Sequence, residues 1–141
     1  MFAVKPLQDK GVQKELCALL KTEYIPDSLA YFAADIADDG SSILGIIGIL
    51  QFRMENESGE ILTLVPAPDK EQDEAMIIME RAAMSFMWRS GLKRMTMKET
   101  AGPESVLSRS GLPKKDGEYF VDLDVFFSSP CQFNKNTNKE N

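Results

Sequence analysis

Residues 60–76 read EILTLVPAPDKEQDEAM and contain the strand-to-helix transition that decides the fold. Apolar and β-branched residues dominate positions 60–65, and Pro66 follows, which predicts a buried strand that ends at this proline. Asp69 is a residue type favoured at a helix N-cap, and Gln72 stands three residues later as its capping-box partner. We therefore predict a buried strand and, directly after it, a helix that begins at Asp69.

The helix after Asp69 is long and amphipathic. Its apolar residues recur at the spacing of one helix face, and Gly91 suits the C′ position that ends a helix. The pattern therefore predicts a helix that packs on a sheet and ends just before Gly91. The positions on the apolar face are Ala75, Met79, Ala82, Ala83 and Phe86.

Further elements on both sides complete an alternating order. Residues 29–36 fit either a helix or a strand, and we favour a strand because the turn-forming residues 38–42 and a long apolar run follow. The resulting order is β-α-β-β-β-α-β-α-β, an α/β (α+β) arrangement. The predicted strands are 2–7, 29–36, 43–54, 60–65, 93–98 and 118–127, and the predicted helices are 9–22, 69–91 and 103–111.

The first helix begins at Asp9, which is predicted to cap it. Cys17 lies in the apolar part of this helix, and we interpret it as a small core residue rather than a nucleophile. Helical periodicity predicts one buried face. Its members are Val12, Leu16, Leu19 and Leu20.

Length and charge are those of an ordinary globular domain. The chain has 141 residues, enough for one domain with a real core, and a formal net charge of −6. The negative charge gives no general attraction to nucleic acid or to an anionic membrane. We predict one domain over residues 1–131. Residues 132–141 have too little apolar surface to offset their ordering entropy, which predicts a flexible polar tail.

Several chemistries are excluded by residues that the chain lacks. Histidine is absent, which removes Ser-His-Asp and Cys-His schemes and the commonest nitrogen ligand of zinc. Cys17 and Cys131 are far apart without metal-ligand spacing, so we expect no metal site. No apolar run is long enough to cross a bilayer, and residues 1–6 do not have the pattern of a signal peptide. A cytoplasmic protein is the expectation.

Three short motifs occur at separations typical of one family. Residues 43–45 read Ile-Leu-Gly after a tight turn, residues 62–66 read Leu-x-Leu-x-Pro, and residues 111–112 read Gly-Leu after the short helix. Together with the element order over residues 2–127, they make the sequence resemble the GNAT N-acetyltransferase superfamily. The resemblance implies a mixed, mostly antiparallel, twisted sheet flanked by helices. It also implies acetyl-CoA or CoA as cofactor and acyl transfer to an amine.

The phosphate-binding loop of that family is altered in this chain. In the family the segment reads R/Q-x-x-G-x-G/A, and its N–H groups grip the pyrophosphate of acetyl-CoA at a helix N-terminus. Here it falls on residues 71–76, where Glu74 and Met76 replace the two glycines. Moving the register by one residue does not restore them. Residues 69–74 carry four acidic and one basic side chain, and we interpret these acids as groups that interact with the helix N-terminus themselves.

The resemblance assigns candidate roles to a few residues. Glu60, which opens the fourth strand, is the candidate base for the substrate amine. The main-chain N–H groups of Leu64 and Val65 would polarise the thioester carbonyl. The family's catalytic tyrosine position holds Leu107. The positions that would contact the cofactor diphosphate are Glu74, Ala75 and Met76.

Two functions remain open at this level. The first is a CoA-dependent N-acyltransferase that transfers an acetyl or acyl group to a small-molecule amine or a protein. The second is a non-catalytic GNAT-fold module that binds a small ligand or a protein partner in the same cleft. The substituted glycines, the acidic loop and the missing tyrosine favour the second, whereas the family resemblance favours the first. The last strand, with Phe126 and Phe127, could pair across a homodimer.

Overall fold

A computed structural model of the chain describes residues 1–69 and 72–128; Cys131 and the tail predicted for 132–141 lie outside the described residues. Residues 123–128 form a short helix after the last strand. No helix in the described part of the chain combines the length and apolar character that a membrane crossing requires. The other elements are β1 (Phe2–Leu7), α1 (Lys10–Leu19), β2 (Leu29–Ile36), β3 (Ile43–Glu55), β4 (Ser58–Pro66), α2 (Asp73–Arg89), β5 (Arg94–Lys98), α3 (Glu104–Arg109), β6 (Lys114–Lys115) and β7 (Glu118–Asp122).

The strands form one seven-stranded sheet in the order β1-β2-β3-β4-β5-β7-β6. All neighbours are antiparallel except β4 and β5, which pair in parallel from Ser58 opposite Arg94 to Ile61 opposite Met97. The register between β3 and β4 shifts at Leu62, which forms a bulge. This arrangement confirms the predicted mixed, mostly antiparallel sheet flanked by helices.

The end of the last strand differs from the prediction. The alternating residues 118–127 predicted one strand, but β7 ends at Asp122 and residues 123–128 are helical. Two contacts explain the change. The Asp122 carboxylate accepts a hydrogen bond from the Val125 N–H, as an N-cap does. The Phe127 ring stacks on Trp88 at 4.9 Å between centroids, which docks this segment on α2.

One face of the sheet is covered by α2 in very close contact. The buried side of this helix is rich in methionine, and it packs on glycines in the two central strands. A Cβ atom at Gly48 would lie 2.5 Å from the Met76 sulfur, and one at Gly59 would lie 2.6 Å from the Met87 sulfur. At either position a Cβ atom would force the methionine side chain to shift, so the two glycines allow the helix to pack this closely on the sheet.

The helix α2 begins later than predicted, so the prediction that Asp69 caps it with Gln72 as capping-box partner was wrong. The helix begins at Asp73, with Gln72 at the N-cap position and no side-chain capping bond. The Gln72 amide instead donates to the Asp35 carboxylate on β2 at 3.2 Å, so it is not available to cap the helix. The end of the helix agrees with the sequence, because Gly91 has a φ of +92° directly after the Ser90 C-cap.

The opposite face of the sheet carries α1. Asp9 caps this helix as predicted, since its carboxylate accepts from the Val12 N–H at 3.1 Å. The predicted buried face is partly wrong. Leu19 is 62% exposed and Val12 40%, whereas Gln13 is fully buried. Cys17 is buried, in agreement with its interpretation as a core residue.

Candidate functional site

The parallel strands β4 and β5 separate at the bulge, and this gap is where the candidate site lies. Their pairing stops at Ile61 and Met97, after which β4 continues to Pro66 while β5 ends at Lys98. A bulge bends the strand that carries it, which accounts for the divergence. A wedge between two parallel strands exposes backbone groups that an extended ligand could pair with.

The chain itself occupies the gap. The Leu64 N–H donates a 2.8 Å hydrogen bond to the Ala101 carbonyl, in the loop that follows β5. Gly102 lies so close that a Cβ atom there would be 2.6 Å from the Leu64 carbonyl oxygen. The Ala101 N–H in turn donates to the Lys98 carbonyl, which closes a tight turn after β5. We call residues 100–103 the plug segment, because they lie directly against β4.

No second donor of β4 faces the gap near Leu64. Successive N–H groups of a strand alternate between its two edges. The Ala67 N–H bonds the Ile47 carbonyl on β3, which places the N–H of Val65 on the β3 side as well. Pro66 has no N–H at all. Between Leu64 and Pro66, the donor that points into the gap is therefore that of Leu64, and Ala101 accepts from it.

The positions implied for the diphosphate lie at the beginning of α2. Glu74 is exposed, whereas Ala75 is buried and the Met76 side chain packs on Gly48. Glu71 lies outside the described residues. A polar cavity of about 700 Å³ opens beside this helix end, lined by Phe2, Gln72, Asp73, Glu74, Ala75, Ser105 and Arg109.

The charges around this cavity do not suit a diphosphate. Asp73 and Glu74 both lie in the first turn of α2. Arg109 of α3 is the basic side chain in the lining, and its guanidinium pairs with the Asp73 carboxylate at 3.2 Å. Carboxylates therefore face the positive end of the helix dipole, where a phosphate would otherwise be stabilised. Among the described residues, those that line this cavity do not fit the diphosphate of CoA.

Glu60 lies before the point where the strands separate. It pairs with Arg53 on β3 and with Thr96 on β5. Its neighbour Ile61 belongs to the core beneath α2, so the Glu60 side chain points to the opposite face of the sheet. There it lines a polar cavity of about 100 Å³ together with Arg53 and Thr96. The structure places Glu60 on β4 but does not bring it together with Glu74, which lies at the N-terminus of α2.

The family's tyrosine position is part of the core. Leu107 on α3 is 1% exposed. Of the chain's tyrosines, Tyr119 is buried on β7 opposite Met97, and Tyr31 lies on β2. In residues 1–69 and 72–128, no group of three or more acidic or cysteine side chains is placed to hold a metal ion.

A buried polar cluster on the α1 face was not predicted from the sequence. The Gln51 side chain accepts hydrogen bonds from the Gln13 amide and the Ile25 N–H, and it donates to the Glu23 carbonyl and the Thr63 hydroxyl. Ser28 completes the cluster through Gln13. These bonds fix the loop after α1 onto β3, and Gln51 also joins β3 to β4 at Thr63, next to the bulge.

A buried acid in α2 was also missed. Glu80 is fully buried, and neither carboxylate oxygen has a hydrogen-bond partner in the described residues. Burial raises the pKa of Glu80 from 4.5 to about 7, although the Arg81 guanidinium, 3.9 Å away, acts in the opposite direction. The sequence did contain a signal, since Glu80 stands four residues after Met76 and three before Ala83, on the buried face.

Comparison with solved structures identifies the architecture as the GNAT N-acetyltransferase fold. Spermidine N-acetyltransferase SpeG of Vibrio cholerae superimposes with a TM-score of 0.65 at 10% identity, over 92% of this chain and 98% of that one. A chain of the NatC complex, solved with a Gag peptide and CoA, gives 0.63 at 14% identity, over 86% and 98%. An IAA acetyltransferase of Bacillus cereus gives 0.57 at 16% identity, over 77% and 72%.

The likeness is one of structure at low sequence identity. No protein-family model matches the chain, and no curated protein matches it either. At identities of 10–16% the superpositions establish the fold. They confirm the GNAT-like architecture that the element order and motifs predicted. Function has to be argued from the gap between β4 and β5.

Proposed function

We propose that this protein is a non-catalytic GNAT-fold binding module that does not use CoA thioesters. The observation that carries the proposal is the hydrogen bond from the Leu64 N–H to the Ala101 carbonyl. It joins β4 to the plug segment across the gap in which an extended cofactor arm would need to pair with β4.

Opening the gap would require several unfavourable changes at once. The Leu64 bond would break, at a net cost of about 1 kcal/mol, and its groups would need new partners. Ala101, which is 8% exposed, would leave the core, and Gly102 would lose its contact with β4. A diphosphate at the N-terminus of α2 would then meet Asp73 and Glu74. Each change opposes CoA binding, and no described residue compensates for all of them.

The second candidate is a CoA-dependent N-acyltransferase acting on a small-molecule amine or a protein. The bulge at Leu62 and the separation of β4 from β5 favour it, because both create a gap at the required place. In this candidate Glu60 accepts a proton from the amine and the Leu64 N–H polarises the acyl carbonyl; the Val65 N–H, which the sequence also suggested for this role, points toward β3 instead. Glu74, Ala75 and Met76 would border the diphosphate. It requires the plug segment to move away from β4.

Thermal unfolding with and without cofactor separates the two candidates. A ligand present at about a hundred times its Kd stabilises a protein by about 2.7 kcal/mol, which for a domain of this size is on the order of 8 °C in Tm. We expect no change in Tm with 1 mM CoA or acetyl-CoA. Adenosine 3′,5′-bisphosphate serves as the control for binding through the nucleotide alone.

A saturable rise in Tm with acetyl-CoA but not with the bisphosphate would overturn the proposal. Release of free CoA thiol from acetyl-CoA in the presence of spermidine would do so too, provided that Glu60→Gln abolishes it. Spermidine is a suitable probe because it is a flexible polyamine, and a spermidine acetyltransferase shares this fold.

A further inference from the structure

A second cavity lies away from the gap, at the end of the sheet where β1 finishes and β2 begins. Its volume is about 180 Å³, and its walls include Leu7, Leu29, Tyr31, Phe52 and Phe86. Gln8 and Lys10, both exposed, also line it. The cavity is therefore a mostly apolar recess with a few polar groups, which is the usual form of a small-molecule site.

Three aromatic rings line this cavity and are arranged as a continuous set. Tyr31 stacks on Phe52 with 5.9 Å between ring centroids, and Phe52 meets Phe86 edge-on at 6.0 Å. Aromatic rings prefer offset-stacked and edge-to-face neighbours, so an aromatic guest would extend the set. The volume also suits one ring, because an apolar cavity of about 150 Å³ in a protein is known to hold benzene.

The Tyr31 hydroxyl is a polar group within this lining. It makes no hydrogen bond to another described residue, and it is not among the buried atoms left without a partner, so water can reach it. A guest with a single hydroxyl would replace that water as the hydrogen-bond partner of Tyr31. A charged guest is disfavoured, because most of the lining is apolar and burying a charge against it is costly.

We propose that this cavity binds a neutral single-ring aromatic molecule that carries one hydroxyl group, with phenol as the simplest example. The ring lies against Phe52 and Phe86, and its hydroxyl bonds the Tyr31 hydroxyl. The site is independent of the gap between β4 and β5, so it stands whether or not the protein binds CoA.

Titration with phenol, followed by NMR of the leucine and isoleucine methyl groups of the full chain, tests the proposal. We expect saturable shifts at Leu7 and Leu29, with a Kd on the order of 1 mM or tighter for a ligand of this size. Ile43 and Leu44, at the other end of the sheet, should not shift. Tyr31→Phe should weaken phenol binding about three- to tenfold, the contribution of one hydrogen bond, and leave benzene binding unchanged.

The control variant is Tyr24→Phe, which removes a hydroxyl from a tyrosine outside the cavity and should leave the affinity for phenol unchanged. Absence of saturable binding, or shifts centred on residues outside the cavity, would refute the site. Equal loss of phenol and benzene affinity in Tyr31→Phe would refute the role of the hydroxyl. Tyr31→Phe retains the aromatic ring, so we expect the variant to fold. A methyl spectrum that matches the native one outside the cavity shows that it does.

Discussion

Glu80 is the residue whose environment departs most from what its type prefers. Its carboxylate is fully buried and has no hydrogen-bond partner among residues 1–69 and 72–128, and the nearby Arg81 guanidinium donates to the Ser110 carbonyl. In such a site the neutral acid is favoured over the carboxylate. The result is a group that titrates near neutral pH in the folded protein and near pH 4.5 in the unfolded chain.

This difference predicts a pH-dependent stability. The folded pKa is raised, so the folded protein binds the proton more tightly than the unfolded chain. The contribution of Glu80 to stability is therefore fully present below about pH 4.5 and is lost as the pH rises to about 7. A shift from 4.5 to about 7 corresponds to about 3 kcal/mol. Urea unfolding between pH 4.5 and pH 8 should show this loss in the native protein and not in Glu80→Gln.

Glu74→Gln is the matched control, because Glu74 is an exposed acid on the same helix. Its unfolding free energy should follow the pH dependence of the native protein. Parallel curves for the native protein and Glu80→Gln would show that Glu80 is not the group responsible.

The role of a single residue could be predicted from the sequence where it depends on neighbours in the chain, and could not where it depends on residues of other elements. Asp9 was predicted correctly because a cap interacts with the N–H groups that follow it in the chain. Gln13 was missed because its burial depends on Ser28 and Gln51, which belong to other elements. A helical pattern assigns polar residues to the surface unless a distant partner is known.

At the scale of elements, the plug segment determines what the gap between β4 and β5 can accept. Gly102 is not in the left-handed region of φ, so its conformation alone does not require glycine. Its requirement is steric, since a Cβ atom would lie 2.6 Å from the Leu64 carbonyl oxygen and also 3.1 Å from the Leu64 Cβ. Both are atoms at or next to the backbone and cannot rotate away.

Gly102→Ala should therefore destabilise the protein by about 1–3 kcal/mol, the usual range for overpacking. Gly11→Ala is the matched control: an added Cβ there meets only the Asp9 side chain, at 3.2 Å, and alanine favours the helix. That variant should be neutral or stabilised by up to about 1 kcal/mol. Urea denaturation measures both. If Gly102→Ala is as stable as the native protein, the plug segment does not lie directly against β4.

Element boundaries explain the remaining differences from the sequence prediction. Residues 118–127 alternate as a strand does, yet Asp122 caps a helix whose Phe127 packs on Trp88. The helix α2 begins at Asp73 and not at the predicted Asp69, because the Gln72 side chain bonds Asp35 on β2 and does not cap the helix. In both places a tertiary contact overrides a correct local pattern, and no local pattern contains that contact.

For the whole molecule, the fold was predictable because it depends on the order of elements. The mixed, mostly antiparallel sheet flanked by helices was predicted from that order, and structures only 10–16% identical to this chain share the fold. Closure of the gap was not predictable. It depends on where the loop after β5 lies relative to Leu64, and the sequence of residues 100–103 contains no sign of that position.

The hydrogen-exchange rate of the Leu64 amide, with and without acetyl-CoA, tests whether the plug segment closes the gap between β4 and β5. Leu64 is buried, and its N–H is bonded to Ala101. We predict slow exchange in the free protein and no change when 1 mM acetyl-CoA is added, because the plug segment already protects this amide. Fast exchange in the free protein that becomes slow with acetyl-CoA would show an open gap that accepts the cofactor. That result would contradict the proposal that the plug segment closes the gap and that the protein does not use CoA thioesters.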